Sequence, residues 1–139
     1  MADNSGEVAA FASFQPMQQL TVYILETDHV EHRPLFMRLL EVVHSNGGAG
    51  ATLFRGIAGY SATGSAVHMA GFADVQQALP LVMVVVDVPS KIAALLPQIE
   101  ALIEVNGGFI TVQNVEGKNY LPTKGHPEHG RGHMGGKHE

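Results

Sequence analysis

The segment Leu79 to Val86 is apolar at all eight positions and stops at Asp87. It is far shorter than the ~20 apolar residues that cross a bilayer. Its valines favour a strand, and a strand without polar alternation is buried on both faces. Whatever this chain folds into must place the strand Leu81 to Val88 between two covering layers, and that requirement constrains every other segment.

The neighbouring segments supply one such layer. Leu20 to Leu25 alternates, with Leu20, Val22 and Ile24 on one face and Thr21 and Tyr23 on the other, which predicts a first strand. Pro34 suits a first helical position, and Phe36, Leu39, Leu40 and Val43 then recur at helical spacing until Gly47 and Gly48 end the segment. Ala49 to Ile57 reads as a second strand, followed by a loop rich in Gly, Ser and Ala. Ser90 can cap a second helix, in which Ile92, Leu95, Leu96, Ile99, Leu102 and Ile103 form one apolar stripe and Pro97 predicts a kink. Asn106-Gly107-Gly108 makes a turn, and Phe109 to Val115 alternates as a fourth strand.

The order βαβ, long loop, βαβ predicts an α+β fold of the ferredoxin-like split βαβ type: a four-stranded antiparallel sheet with two helices on one face. The helices leave the other face open, although the third strand is apolar there too. The sheet of a partner subunit is the simplest cover, so an oligomer is expected.

A chain of 139 residues, 45% hydrophobic, suits one domain. We place it at 18–116, with a long loop at 60–78, a disordered leader at 1–17 and a flexible His/Gly-rich tail at 117–139. A net charge of -5 without a cluster of Lys and Arg argues against nucleic-acid binding. The absence of cysteine excludes disulfides, thiol nucleophiles and thiolate zinc sites. No segment is expected to span a membrane, and Asp3 and Glu7 stand where a secretory signal carries positive charge, so a cytoplasmic protein is expected.

Four stretches are familiar: Thr21-Val22-Tyr23-Ile24, Arg33-Pro34-Leu35, Gly50-Ala51-Thr52-Leu53-Phe54-Arg55-Gly56-Ile57-Ala58-Gly59-Tyr60 and Leu79-Pro80-Leu81-Val82. Together they resemble a family of uncharacterised bacterial PII-like proteins, relatives of the PII nitrogen-regulatory signalling proteins. The resemblance runs from about Gln18 to Val115, and Gly50 to Tyr60 is its most specific part. It implies a homotrimer with sheets facing inward and ligand sites in the clefts between subunits. It also implies a mobile loop between the second and third strands that touches a target, often a membrane transporter. The ligand classes it implies are an adenine nucleotide or a small anion. One departure bears on this: PII proteins that hold ATP have a glycine-rich turn with basic residues before the last strand, whereas Asn106-Gly107-Gly108 carries none, which argues against triphosphate binding of that type.

Gly56, Gly59 and Gly64 frame the start of the long loop, where free backbone N–H groups can cradle an anion while Arg55 supplies charge. With the resemblance, the expected ligand-binding residues are Arg33, Arg55, Gly56, Gly59 and Tyr60. The plainer alternative is that the glycines only permit a turn. A P-loop is excluded, because Ser65 stands where its lysine must reach the phosphates. Asp28, His29, Glu31, His32 and Arg33 could hold a divalent metal or an anionic ligand, or simply be solvated. His126, His129, His133 and His138 lie in the tail, and imidazole suits Ni, Cu and Zn. The alternative there is a solubilising tail, since a flexible segment loses entropy on binding.

No enzyme signature is present. Ser61 lacks the later glycine of a nucleophile elbow, and His29-Val30-Glu31-His32 is too short for a zincin helix. Two functions remain in contention: a trimeric regulatory protein that binds a nucleotide or small anion and is not an enzyme, or a metal-binding, metal-tolerance protein acting through the histidine tail.

Overall fold

In the computed structural model, which describes residues 13–59, 68–69 and 78–123, the elements follow the expected order with two small additions. Strand β1 (Gln15–Leu25) is followed by a short hairpin of β2 (His29–Val30) and β3 (Arg33–Pro34), then helix α1 (Leu35–Ser45) and strand β4 (Thr52–Arg55). A second short pair, β5 (Ala58–Gly59) and β6 (His68–Met69), precedes strand β7 (Pro80–Asp87), helix α2 (Pro89–Asn106) and strand β8 (Phe109–Gly117).

The main sheet has the order β4-β7-β1-β8 and is antiparallel throughout, which is the split βαβ topology. The apolar run occupies β7, an interior strand, as its lack of alternation demands. Its register against β1 runs from Gln18 opposite Asp87 to Leu25 opposite Pro80, and against β4 from Thr52 opposite Val84 to Arg55 opposite Leu81. Leu81, Met83 and Val85 of β7 join Leu20, Val22 and Ile24 of β1 beneath the two helices. Leu35, Leu39 and Val43 of α1 and Ile92, Leu95, Ile99 and Ile103 of α2 complete this core. Burial of each such side chain contributes about 1.5–3 kcal/mol, so this face is where the fold is held.

The opposite face carries no helix among the described residues. Val82, Val84 and Val86 lie there half-buried. One cross-strand row on it consists of Phe54, Val82, Tyr23 and Phe109. Its three aromatic residues are exposed, and the Tyr23 and Phe109 rings lie 5.9 Å apart.

Several boundaries differ from the sequence reading, each for a local reason. β1 begins at Gln15, because Gln15 to Met17 pair with Val115 to Gly117 beyond the end of β7. Pro34 is the N-cap of α1 and not its first residue. β4 is confined to four residues because the Ala49 N–H leaves the ladder and donates to the Asp87 carboxylate at 2.9 Å. Val88, not Ser90, caps α2, with Pro89 as the first helical residue, where its fixed φ fits and its missing N–H costs nothing. α2 runs unbroken through Pro97. It ends at Gly107, whose φ of 87° lies in the range that favours glycine and whose N–H donates to Ile103 O at 2.7 Å. No helix among the described residues is long and apolar enough to cross a membrane.

Candidate functional site

Antiparallel pairing brings the C-terminal ends of β1 and β4 and the N-terminal end of β7 to the same edge of the sheet. Arg55, the last residue of β4, donates from Nη2 to Glu26 Oε2 at 2.6 Å, just past the end of β1. The backbone around the pair is fixed by two further bonds into β7: Glu26 N–H donates to Leu79 O at 2.8 Å and Gly56 N–H donates to Pro80 O at 2.7 Å. A side chain at the root of the long loop would push on the proline ring, because a Cβ on Gly56 would come within 2.9 Å of Pro80 Cγ, and one on Gly59 within 3.1 Å. The glycines at 56 and 59 therefore serve a close backbone approach to Pro80. The small β5–β6 ladder begins two residues on, where the sequence reading expected only loop.

The Arg55 side chain is 61% exposed and that of Glu26 is 29% exposed. A guanidinium presents its N–H donors as a fork that matches an oxyanion, and here Glu26 takes one donor on Nη2. Arg55, Gly56 and Gly59 are thus brought together at one edge. Tyr60, nearly all of the loop beyond it, and His126, His129, His133 and His138 lie outside the described residues. Arg33 is engaged separately: it donates through both terminal nitrogens to the Glu41 carboxylate on α1, at 3.1 Å from Nη1 to Oε1. That pairing raises the guanidinium's pKa and holds the Glu41 carboxyl below its ordinary value.

The acidic and imidazole side chains between β1 and α1 turn to different partners. Asp28 Oδ2 accepts the Leu25 N–H at 3.0 Å, His29 Nδ1 donates to Thr27 O at 2.8 Å, and Glu31 accepts from Arg38 at 3.2 Å. Among the described residues no group of three or more carboxylates and imidazoles is placed to hold a metal ion. Partial burial raises the pKa of Asp28, outweighing the Leu25 N–H and the nearby His29, which lower it. At the hairpin tip, Glu31 and His32 both have positive φ, 52° and 69°, as a two-residue β2–β3 turn of this hand requires.

Sequence reasoning passed over Glu26, whose place one residue beyond β1 comes opposite Arg55 only because β7 lies between β1 and β4 in the sheet. It also missed Asp87, fully buried, which accepts the Ala49 N–H at 2.9 Å and the Val88 N–H at 2.8 Å and so ties the start of α2 to the loop before β4.

Comparison with known proteins adds the following. The family model DUF190, described as "Uncharacterized ACR, COG1993", matches residues 17–117. A UPF0166 protein of Aquifex aeolicus is 32% identical over 97 residues, covering 70% of this chain and 89% of the relative. Among solved structures, CPII from Thiomonas intermedia K12, a nitrogen regulatory PII-like protein bound to ADP, AMP and bicarbonate, superimposes with a TM-score of 0.59 at 13% identity, covering 76% of this chain and 92% of CPII. CutA1 from Oryza sativa superimposes with a TM-score of 0.51 at 17% identity, over 76% of this chain and 85% of CutA1. These likenesses identify the fold as PII-like, and a fold shared this widely does not by itself assign a ligand.

Proposed function

The chain belongs to the DUF190 family, and from that membership and its PII-like fold we propose a regulatory protein that binds a small anionic ligand and does no chemistry on it. The ligand sits beside Arg55, Gly56, Gly59 and Tyr60, in a cleft completed by a second copy of the chain within a homotrimer. The loop at 60–78 conveys the bound state to a target, for which the PII resemblance points to a membrane transporter reached from the cytoplasm. The observation that carries this reading is the exposed Arg55 guanidinium at the root of that loop, on a backbone pressed against Pro80.

Two further features support it. CPII, of the same fold, is bound to ADP, AMP and bicarbonate, which are all anions that a guanidinium can hold. The half-buried valines of β7 and the exposed Phe54, Tyr23 and Phe109 form an apolar face of the kind that copies of a chain bury against one another. Arg33 has a secondary place in the proposal, since Glu41 already occupies its fork.

Calorimetry against ADP, AMP and sodium bicarbonate tests the proposal, combined with limited proteolysis of the loop at 60–78. At least one ligand is expected to bind saturably and to change loop cleavage, and Arg55→Gln is expected to lose that binding. Failure of all three ligands, or undiminished binding by the Arg55 variant, would overturn it. Coupling further requires that the ligand bind two loop states with different affinity, so binding with unchanged cleavage would remove the regulatory half of the reading.

A further inference from the structure

We infer that Glu26 is a built-in competitor for the anion seat at Arg55, so that the ion pair and a bound anion exclude one another and Glu26 governs which anions the site accepts. The inference rests on the reading that an anion binds beside Arg55, and it deepens that reading by naming what the ligand must displace.

The geometry assigns unequal roles to the two partners. Glu26 is anchored through its own N–H to Leu79 O and is the more buried side chain, whereas Arg55 is largely exposed at the end of a short edge strand. The carboxylate is therefore the fixed partner and the guanidinium the one free to turn. Each is the other's ion-pair partner among the described residues, and the other two described arginines close onto Glu41 and Glu31 instead.

The Glu26 carboxylate, 2.6 Å from Nη2, takes a donor that a two-pronged grip on a planar oxyanion through the terminal nitrogens would use. An exposed pair of this kind is weak enough for a ligand to displace. Displacement leaves the Glu26 charge beside the bound anion, and this repulsion grows with the charge of the ligand. The site thus favours a singly charged oxyanion over a nucleotide di- or triphosphate, an outcome reached without any missing lysine.

The test uses the full chain with bicarbonate and ADP as probes, comparing wild type with Glu26→Gln by calorimetry at low and physiological salt. Removing an adjacent like charge is expected to tighten binding by roughly three- to tenfold. The gain should be greater for ADP than for bicarbonate and smaller at higher salt. Glu26→Ala serves as a second variant with the same expectation should the first fold poorly, and Glu100→Gln, which removes an exposed charge on α2, is expected to change nothing. If wild type binds a probe and both Glu26 variants bind it equally or more weakly, this inference falls while the proposed function stands. Equal tightening in the Glu100 variant would also overturn it, by tracing the effect to net charge. If wild type binds neither probe, the inference falls together with the anion site on which it depends.

Discussion

Asp28 shows how one side chain can work against the stability of the fold that positions it. Its carboxylate accepts the Leu25 N–H and closes the turn after β1, yet partial burial raises its pKa above the ordinary 3.8. A carboxyl whose folded pKa is raised contributes stability in its protonated form. That contribution is fully present below 3.8 and is lost as pH rises through the raised value, leaving a penalty at neutral pH. Asp28→Asn keeps an oxygen to accept the Leu25 N–H and carries no charge to desolvate. Denaturant unfolding is therefore expected to show the variant more stable than wild type at pH 7, with the difference shrinking on acidification and vanishing below the ordinary carboxyl range. A variant less stable at both pH values would show that the amide cannot replace the carboxylate in the turn. Glu41 shifts the opposite way, lowered by its bond to Arg33, but both partners are about half exposed and their contribution should fade with salt.

At the scale of the elements, α2 contains a residue whose local preference opposes the observed structure. Pro97 lies inside a helix of 18 residues. It has no N–H for the carbonyl one turn back, and its ring crowds that carbonyl. The apolar stripe on either side, Ile92, Leu95, Ile99 and Ile103, is buried against the sheet and keeps the helix continuous through the proline. Pro97→Ala restores the missing bond at an exposed position and is expected to raise stability by about 1–3 kcal/mol in denaturant unfolding, the high end being the full helix-interior cost of proline. No gain would mean that the surrounding turn has already adapted to the proline.

The same balance explains which elements could be read from sequence. β1, β7, α1 and α2 were legible because each buries a periodic apolar set, as with Leu20, Val22 and Ile24 or Leu35, Leu39 and Val43. The β2–β3 hairpin was not, because its turn places Glu31 and His32 in the left-handed region where the usual signal is Asn or Gly. The β5–β6 ladder likewise has only two residues per strand, too few to show a period. Half of the candidate site was legible, in Arg55 and the glycines beside it. Glu26 was hidden because its partner comes from β4, two strands away in the sheet, and strand order is a property of the sheet, not of any segment.

For the whole molecule, the decisive surface is the sheet face turned away from the helices. Val84 sits at its centre on β7, opposite Thr52 of β4 on one side and Thr21 of β1 on the other. Its neighbours in that face include Val82, Val86, Phe54, Tyr23 and Phe109, and no described residue presenting to it from the four strands is a carboxylate. A lysine at this position has solvent to face in an isolated chain but would be buried without a partner if copies of the sheet pack together, a cost of several kcal/mol per ammonium group. Because residue 84 points away from the core of Leu20, Met83 and Leu95, the fold of each chain should survive. Val84→Lys is therefore expected to run at the mass of one 14.8 kDa chain in light scattering while wild type runs at three times that mass, with unchanged circular dichroism. A wild type already at the single-chain mass would overturn the trimer. The variant also separates assembly from site chemistry, since Arg55 and Glu26 remain in place. If the cleft is completed by a second copy, anion binding must fall with the trimer, and if binding persists in the dissociated chain, the site belongs to one subunit alone.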